Sequence, residues 1–184
     1  LKLDDADRDS LETPITRKEL LTTIQETEGN KSPGIDGLPI EFYKTFWPII
    51  QDEFVEMANM IFLEDMDLAP TQKKGVISLL YKSGGKEFLD NWRPITLLCA
   101  DYKIISKTIA RRLRKYMGKL IHENQTCAVP GRDIQTNLHL IRDVITHAQR
   151  KDQNAFIVSY DFQKAFDSID HEYLLRTLQC MNFG

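Results

Sequence analysis

An α+β fold is predicted from three observations. Apolar residues recur at helical spacing over much of residues 17–63 and 101–150, and two short β-branched runs, 75–81 and 94–98, flank a glycine-rich loop. A further strand-length run, 155–160, precedes a last capped helix. With 184 residues, 42% hydrophobic and 28% charged, the chain has the balance of a folded soluble protein, enough for one core or parts of two subdomains.

Thr16-Arg17-Lys18-Glu19 matches a capping box, and Leu20, Leu21 and Ile24 follow at helical spacing until Gly29, which predicts a first helix over about 17–27. The segment 31–39, Lys-Ser-Pro-Gly-Ile-Asp-Gly-Leu-Pro, excludes helix and sheet and fixes a compact turn. Two readings stand for it: a purely structural turn, or a loop whose Lys31, Ser32 and glycine amides lie along a nucleic-acid backbone. Two helices are expected next, 41–46 and 48–63, the second opening with Pro48 at its first position. Its Phe54, Met57, Ala58, Ile61 and Phe62 share one side and read as core.

The runs 75–81 and 94–98 predict a hairpin. Lys82 closes its first strand and Arg93 opens its second, so both cations come to one end with Gly84 and Gly85 between them. Such an end suits a triphosphate or a nucleic-acid backbone, although basic turns are commonly just solvated. Residues 101–117 predict a basic amphipathic helix with Lys103, Lys107, Arg111 and Arg114 in one stripe. Residues 101–121 hold seven bases against Asp101 alone, while residues 1–30 hold eight acids against four bases. The net charge of −3 hides this asymmetry, and a polyanion would choose the basic side. Without acidic partners at i+4 the stripe favours phosphate contact over a merely solvated face. The absence of Trp and Phe from its apolar side argues against a membrane surface.

Residues 125–132 read as a short extended piece ending in a turn where Gly131 supplies a positive φ. Asp133 then caps a helix to about Arg150, and Asp170 caps the last one. Between them the run 155–160 reads as a buried strand, and it places Asp161 where strand gives way to turn. A carboxylate there is held by a scaffold yet faces the crevice where divalent cations reach it. Asp167, deeper in the turn, reads as a helix cap and not as a second metal ligand. Cys99, Cys127 and Cys180 show no metal-ligand spacing and read as free, buried structural thiols of a reducing compartment. With no apolar run of membrane-spanning length and no leader, the expected setting is intracellular, in the nucleus or cytoplasm, neither secreted nor membrane-bound. The first residues, Leu1-Lys2-Leu3, and the last, Asn182-Phe183-Gly184, suggest a piece of something longer.

In order, Lys-Ser-Pro-Gly-Ile-Asp-Gly (31–37), Glu-Phe-Tyr-Lys (41–44), Ile-Ser-Leu-Leu-Tyr-Lys-Ser-Gly-Gly (77–85), Asn-Trp-Arg-Pro-Ile-Thr-Leu-Leu (91–98), Lys-Ile-Ile-Ser-Lys-Thr-Ile-Ala-Arg-Arg-Leu (103–113), Gln-Thr-Cys-Ala-Val-Pro-Gly-Arg (125–132) and the stretch 157–167 resemble the reverse transcriptase domain of non-LTR (LINE-type) retrotransposons. The resemblance covers about 14–184. It implies a right-hand polymerase fold, truncated, with an acidic leader and first helix (1–30), fingers (31–152) and the start of the palm (153–184).

By the same resemblance Asp161 is the first metal-binding aspartate and the Phe162 carbonyl a further ligand to two Mg²⁺ ions. Such ions activate the primer hydroxyl and stabilise the leaving pyrophosphate. Phe166 corresponds to the steric gate that excludes a ribose 2′-hydroxyl, and Lys82 and Arg93 to residues that hold the incoming deoxynucleoside triphosphate. Lys103, Lys107, Arg111, Arg114 and Arg132 would lie along the RNA template or DNA primer. The family's later aromatic-x-Asp-Asp hairpin has no match after Asp161, and Leu3-Asp4-Asp5 stands too early to supply it. These residues alone are therefore expected to be inactive and to need the rest of a parent polymerase chain. A reverse-transcriptase-like RNA-binding scaffold is the alternative. An aspartyl phosphotransferase is disfavoured because Gln163 stands where its second Asp belongs.

Overall fold

The computed structural model describes residues 1–162, 165–166 and 168–184, so Asp167 and the cap proposed for it lie outside the described residues. The chain divides into two compact units, one of residues 13–111 and one of residues 1–12 with 112–184.

In the first unit, α2 (Arg17–Glu26) begins at the anticipated capping box: the Thr16 side chain accepts from Glu19 N, and Glu19 returns to the Thr16 amide. α3 (Ile40–Leu63) is one continuous helix. This corrects the expectation of two helices meeting at Pro48. A proline inside a helix costs about 3 kcal/mol, but Tyr43 and Trp47 before it and Phe54 and Ala58 after it are all buried. They enter one core with Leu20 and Ile24 of α2 and Ile104 and Ile105 of α4 (Ala100–Arg114), so packing holds both halves in line. Two polar ties join this core: Asn59 brackets Ile15, giving Nδ2 to its carbonyl at 3.0 Å and taking its amide at 2.6 Å, and the buried Thr108 hydroxyl meets Thr23 Oγ1 at 2.9 Å.

The hairpin forms as anticipated, with β1 (Val76–Tyr81) antiparallel to β2 (Trp92–Leu97). A single 3₁₀ turn, Leu89–Asn91, leads into β2. Both faces of the ribbon are largely exposed, with Ile77, Leu79, Leu80 and Ile95 open to solvent.

In the second unit, α1 (Asp5–Leu11) is capped by Asp4, and Leu3, Leu11 and Leu120 form a small core. The Leu3 amide donates to the Met181 carbonyl at 2.9 Å and Asn182 Nδ2 to the Leu3 carbonyl at 3.1 Å, which joins the two ends of the sequence. The basic helix stops at Arg114 and a separate turn, α5 (Met117–Leu120), follows, because Lys115 and Tyr116 donate three residues back instead of four. α6 (Ile134–Arg150) and α7 (His171–Cys180) start at Asp133 and Asp170, each accepting the amide three residues on, as the caps require. Residues 127–131 form turns, so 125–132 is not one extended piece; Gly131 does take the positive φ, at 76°. Cys99 is buried, whereas Cys127 and Cys180 are exposed, so only one of the three free thiols is a core residue.

The expected buried strand 155–160 is not formed. Residues 153–162 have no regular structure and are exposed, with Phe156 at 90% and Tyr160 at 84% exposure. Apolar alternation makes a strand only where a neighbouring strand takes up its amides and carbonyls. Among the described residues the sheet consists of β1 and β2 alone, and this run pairs with neither.

Candidate functional site

The chemistry-bearing residues are spread over several elements. At the hairpin, β pairing sets Leu80 opposite Arg93 and Tyr81 opposite Trp92, and the Lys82 amide carries the ladder one step further by donating to the Asn91 carbonyl at 2.8 Å. Side chains alternate along a strand, so Lys82, two residues from Leu80, shares the face of Arg93. Both cations are exposed, and among the described residues neither has an ion-pair or hydrogen-bond partner. The opposite face carries Tyr81 and Trp92, edge to face at 5.4 Å between ring centroids, with the Lys86 ammonium 5.5 Å from the Tyr81 ring centroid.

A second group surrounds a cleft of about 500 Å³ between the 27–40 segment and α4. Its rim carries Lys31, Ser32, Lys103 and Lys107, and its floor Pro39, Ile40, Leu98 and Ile104. The loop 31–39 is thus seated on the first turn of α4, beside two lysines of the basic stripe. The stripe is not uniform. Lys107 Nζ donates to Thr27 Oγ1 at 3.0 Å, Arg111 forms an ion pair with Glu26 of α2, and Lys103 and Arg114 are exposed without a partner among the described residues. The acidic partner that helix spacing failed to supply for Arg111 therefore comes from another element. Lys31 lies 3.2 Å from Glu28, an exposed pair worth little. Arg112 stands four residues after Thr108 and eight after Ile104 and so falls on the apolar side. It is buried and donates to the Leu11 carbonyl at 3.1 Å.

Arg132 belongs to the second unit. Its guanidinium donates to the carbonyls of Gly118, Ile121, His122 and Gln125 at 2.6–3.1 Å, gathering the end of α5 and the turns after it. A phosphate would have to compete with those four acceptors. Asp161, Phe162 and Phe166 lie in the irregular segment before α7, all exposed, with Phe166 at 94%.

Among the described residues the only cluster of three His, Cys, Asp or Glu side chains close enough for one metal is Asp36, Cys99 and Asp101, with ligand atoms within 4.8 Å of one another. Its groups are already engaged. Asp101 accepts from Gln72 Nε2 at 2.8 Å and from Tyr102 N at 2.7 Å, Asp36 from Leu38 N at 3.1 Å, and Cys99 Sγ donates to the Thr71 carbonyl. They gather at the positive end of α4, which disfavours a cation. Burial, then Asp101, Asp36 and Cys99, push the Tyr43 hydroxyl well above the usual phenol range, so it keeps its proton beside these acids. The cluster reads as the seat of the 31–39 loop. Among the described residues Asp161 belongs to no such group. One carboxylate and the Phe162 carbonyl are hard oxygen donors of the kind Mg²⁺ takes, but fewer than a pair of ions needs.

Residues 72–184 match the family model described as reverse transcriptase (RNA-dependent DNA polymerase). The chain is 42% identical over 177 residues to the Transposon TX1 uncharacterized 149 kDa protein of Xenopus laevis, covering 96% of this chain and 14% of that protein. It is 27% identical over 169 residues to the retrovirus-related Pol polyprotein from type-1 retrotransposable element R2 of Popillia japonica, covering 90% of this chain and 22% of that protein. It is also 26% identical over 179 residues to the probable RNA-directed DNA polymerase from transposon BS of Drosophila melanogaster, covering 91% and 20%. The chain thus spans between 14% and 22% of the length of these relatives.

Proposed function

The chain belongs to the reverse transcriptase (RNA-dependent DNA polymerase) family, and from that premise we propose that it forms the fingers (31–152) and the start of the palm (153–184) of a polymerase that adds deoxynucleotides to a primer on an RNA template. Residues 1–30 in this division are the acidic leader, which forms α1, and the capping-box helix α2; the division follows chemistry, whereas the compact units follow packing. The observation that carries the reading is the pair of unpartnered cations, Lys82 and Arg93, on one face at the end of an exposed hairpin. A triphosphate matches that arrangement: Arg grips two phosphate oxygens at once, and Lys adds a point charge.

The remaining roles follow from the same reading. Phe166 excludes the ribose 2′-hydroxyl. Lys103, Lys107, Arg111 and Arg114 run along template or primer phosphates, with Lys31 joining them at the cleft, and Arg132 is a further contact to the nucleic acid. Reverse transcriptases generally use divalent metal ions. Mg²⁺, as two ions, is the proposed cofactor of the complete site, to which these residues bring Asp161 and the Phe162 carbonyl. No helix among the described residues is long and apolar enough to cross a membrane, and an intracellular site of action, nuclear or cytoplasmic, is part of the proposal.

The test is RNA-templated primer extension by the complete protein with Mg²⁺. Extension that Asp161→Asn abolishes supports the polymerase. RNA binding that persists with no extension in the unaltered protein would overturn it in favour of an RNA-binding scaffold.

A further inference from the structure

The loop between β1 and β2 is Ser83-Gly84-Gly85-Lys86-Glu87, a composition that leaves a chain segment free to wander. Three consecutive carbonyls in it are nevertheless held by side chains from the strand ends. The Tyr81 hydroxyl donates to the Gly84 carbonyl, Asn91 Nδ2 to the Gly85 carbonyl at 2.8 Å, and Trp92 Nε1 to the Lys86 carbonyl at 2.9 Å. Gly84 has φ +94°, a conformation that other residues rarely adopt, and a Cβ built on it would lie 2.6 Å from Asn91 Nδ2, so a side chain there would push the Asn91 amide out of place. Among the described residues, the amides of 83–87 donate to no protein acceptor. Carbonyls tied down and amides left over, beside Lys82 and Arg93, are what an anion cradle requires.

We propose that Tyr81, Asn91 and Trp92 are positioning residues that clasp the Gly84-Gly85-Lys86 turn, so that its free amides join Lys82 and Arg93 in binding the triphosphate of the incoming nucleotide. The inference rests on the polymerase reading for its ligand, but the clasp itself stands on hydrogen bonds that the reading does not use. One group opposes the anion: the Glu87 carboxylate lies against Gly85, 2.4 Å from where a Cβ would stand. Removing its charge must therefore help binding.

The experiment compares Asn91→Ala, Tyr81→Phe, Trp92→Phe and Glu87→Gln in the complete polymerase. Tyr81→Phe keeps its ring and loses only the donor, whereas Trp92→Phe loses the donor and part of the ring that packs on Tyr81. Two readouts are taken: KM and kcat for the deoxynucleotide in primer extension, and direct binding of inorganic tripolyphosphate by calorimetry. Each loss of a donor is expected to raise KM and weaken tripolyphosphate binding about five-fold, the equivalent of one neutral hydrogen bond. The expected result leaves kcat and template-primer affinity unchanged and has Glu87→Gln shift both readouts the other way. If the unaltered protein extends primers but the variants keep its KM and its tripolyphosphate affinity, the clasp is refuted and the polymerase stands. If it fails to extend yet binds tripolyphosphate in a way the variants weaken, the polymerase reading falls and the clasp survives. Neither extension nor binding overturns both.

Discussion

Gly34 lies so close to Cys99 that a Cβ built on it would stand 2.4 Å from the Cys99 amide nitrogen and 2.7 Å from its Cα. The backbone leading into α4 is therefore in direct contact with the 31–39 loop, and the contact is backbone on backbone. Of the two readings open for this loop, the structural one has an explicit cause here. The other is not displaced, since the same seat puts Lys31 beside Lys103 and Lys107 at the cleft.

Gly34→Ala is expected to destabilise the protein by about 1–3 kcal/mol, the usual cost of inserting a methyl group where the neighbours cannot yield. Backbone atoms yield less than side chains, so the loop must lift from α4. Chemical denaturation measures the loss. An unchanged midpoint would mean that loop and helix are not packed as described.

Arg111 and Glu26 set up a second test. With the carboxylate in place, the guanidinium is partly neutralised before any phosphate arrives. Glu26→Gln is expected to tighten RNA binding at low salt and to steepen the dependence of log K on log salt by about 0.7, the contribution of one added phosphate contact on a single strand. Lys103→Ala is expected to make the slope shallower by about the same amount. Slopes unchanged in both variants would remove the basic stripe from the nucleic-acid path.

Glu41 gives a pH dependence. Its carboxylate accepts the Asn30 amide at 2.6 Å, closing the turn after α2 where Asn30 holds a positive φ of 56°. That backbone hydrogen bond, then the amide of Glu41 itself, with a smaller effect of Lys44, holds the Glu41 carboxyl below the usual glutamate range. A carboxylate whose acidity rises on folding contributes stability that is fully present above its unfolded pKa. That contribution is lost as pH falls through the folded value. Urea midpoints of Glu41→Gln should therefore lie below the parent's at neutral pH and converge with them as the pH drops beneath the glutamate range. A gap that stays constant into acid would show that the charge has no part in it.

How much was legible in the sequence follows the distance over which each interaction acts. Thr16 with Glu19, Asp133 with Thr136 and Asp170 with Tyr173 are caps closed within three residues, and all three were readable from residue type and spacing. The hairpin was readable because its strands are adjacent in the chain. Pro48 misled because the residues that hold α3 straight are distributed over α2 and α4, out of reach of a local reading. The Glu26 partner of Arg111 was hidden for the same reason. Arg112 was legible in principle, since it continues the buried positions of Ile104 and Thr108. The clasp was not: nothing in Asn-Trp-Arg-Pro shows that the first two side chains turn back onto a glycine loop.

The run 155–160 has the residue types of a strand without its structure, because a strand is a property of two segments. Ile157, Val158 and Tyr160 have the residue types of a buried strand, yet they are 64–84% exposed, and the described residues offer them no ladder. Exposure of this kind leaves Asp161 without the rigid edge that a metal ligand needs. If the proposed palm is completed by other parts of a full polymerase, the same amides must become paired there. Hydrogen exchange is the direct measure. In these 184 residues on their own, the amides of 155–160 are expected to exchange at unprotected rates, and primer extension is expected to be absent. In the complete polymerase those amides should be protected by a factor of at least about a hundred, which corresponds to roughly 3 kcal/mol of opening free energy. Equal exchange in both would mean that Asp161 never sits at a strand end, and its assignment as a metal ligand would fall with the strand.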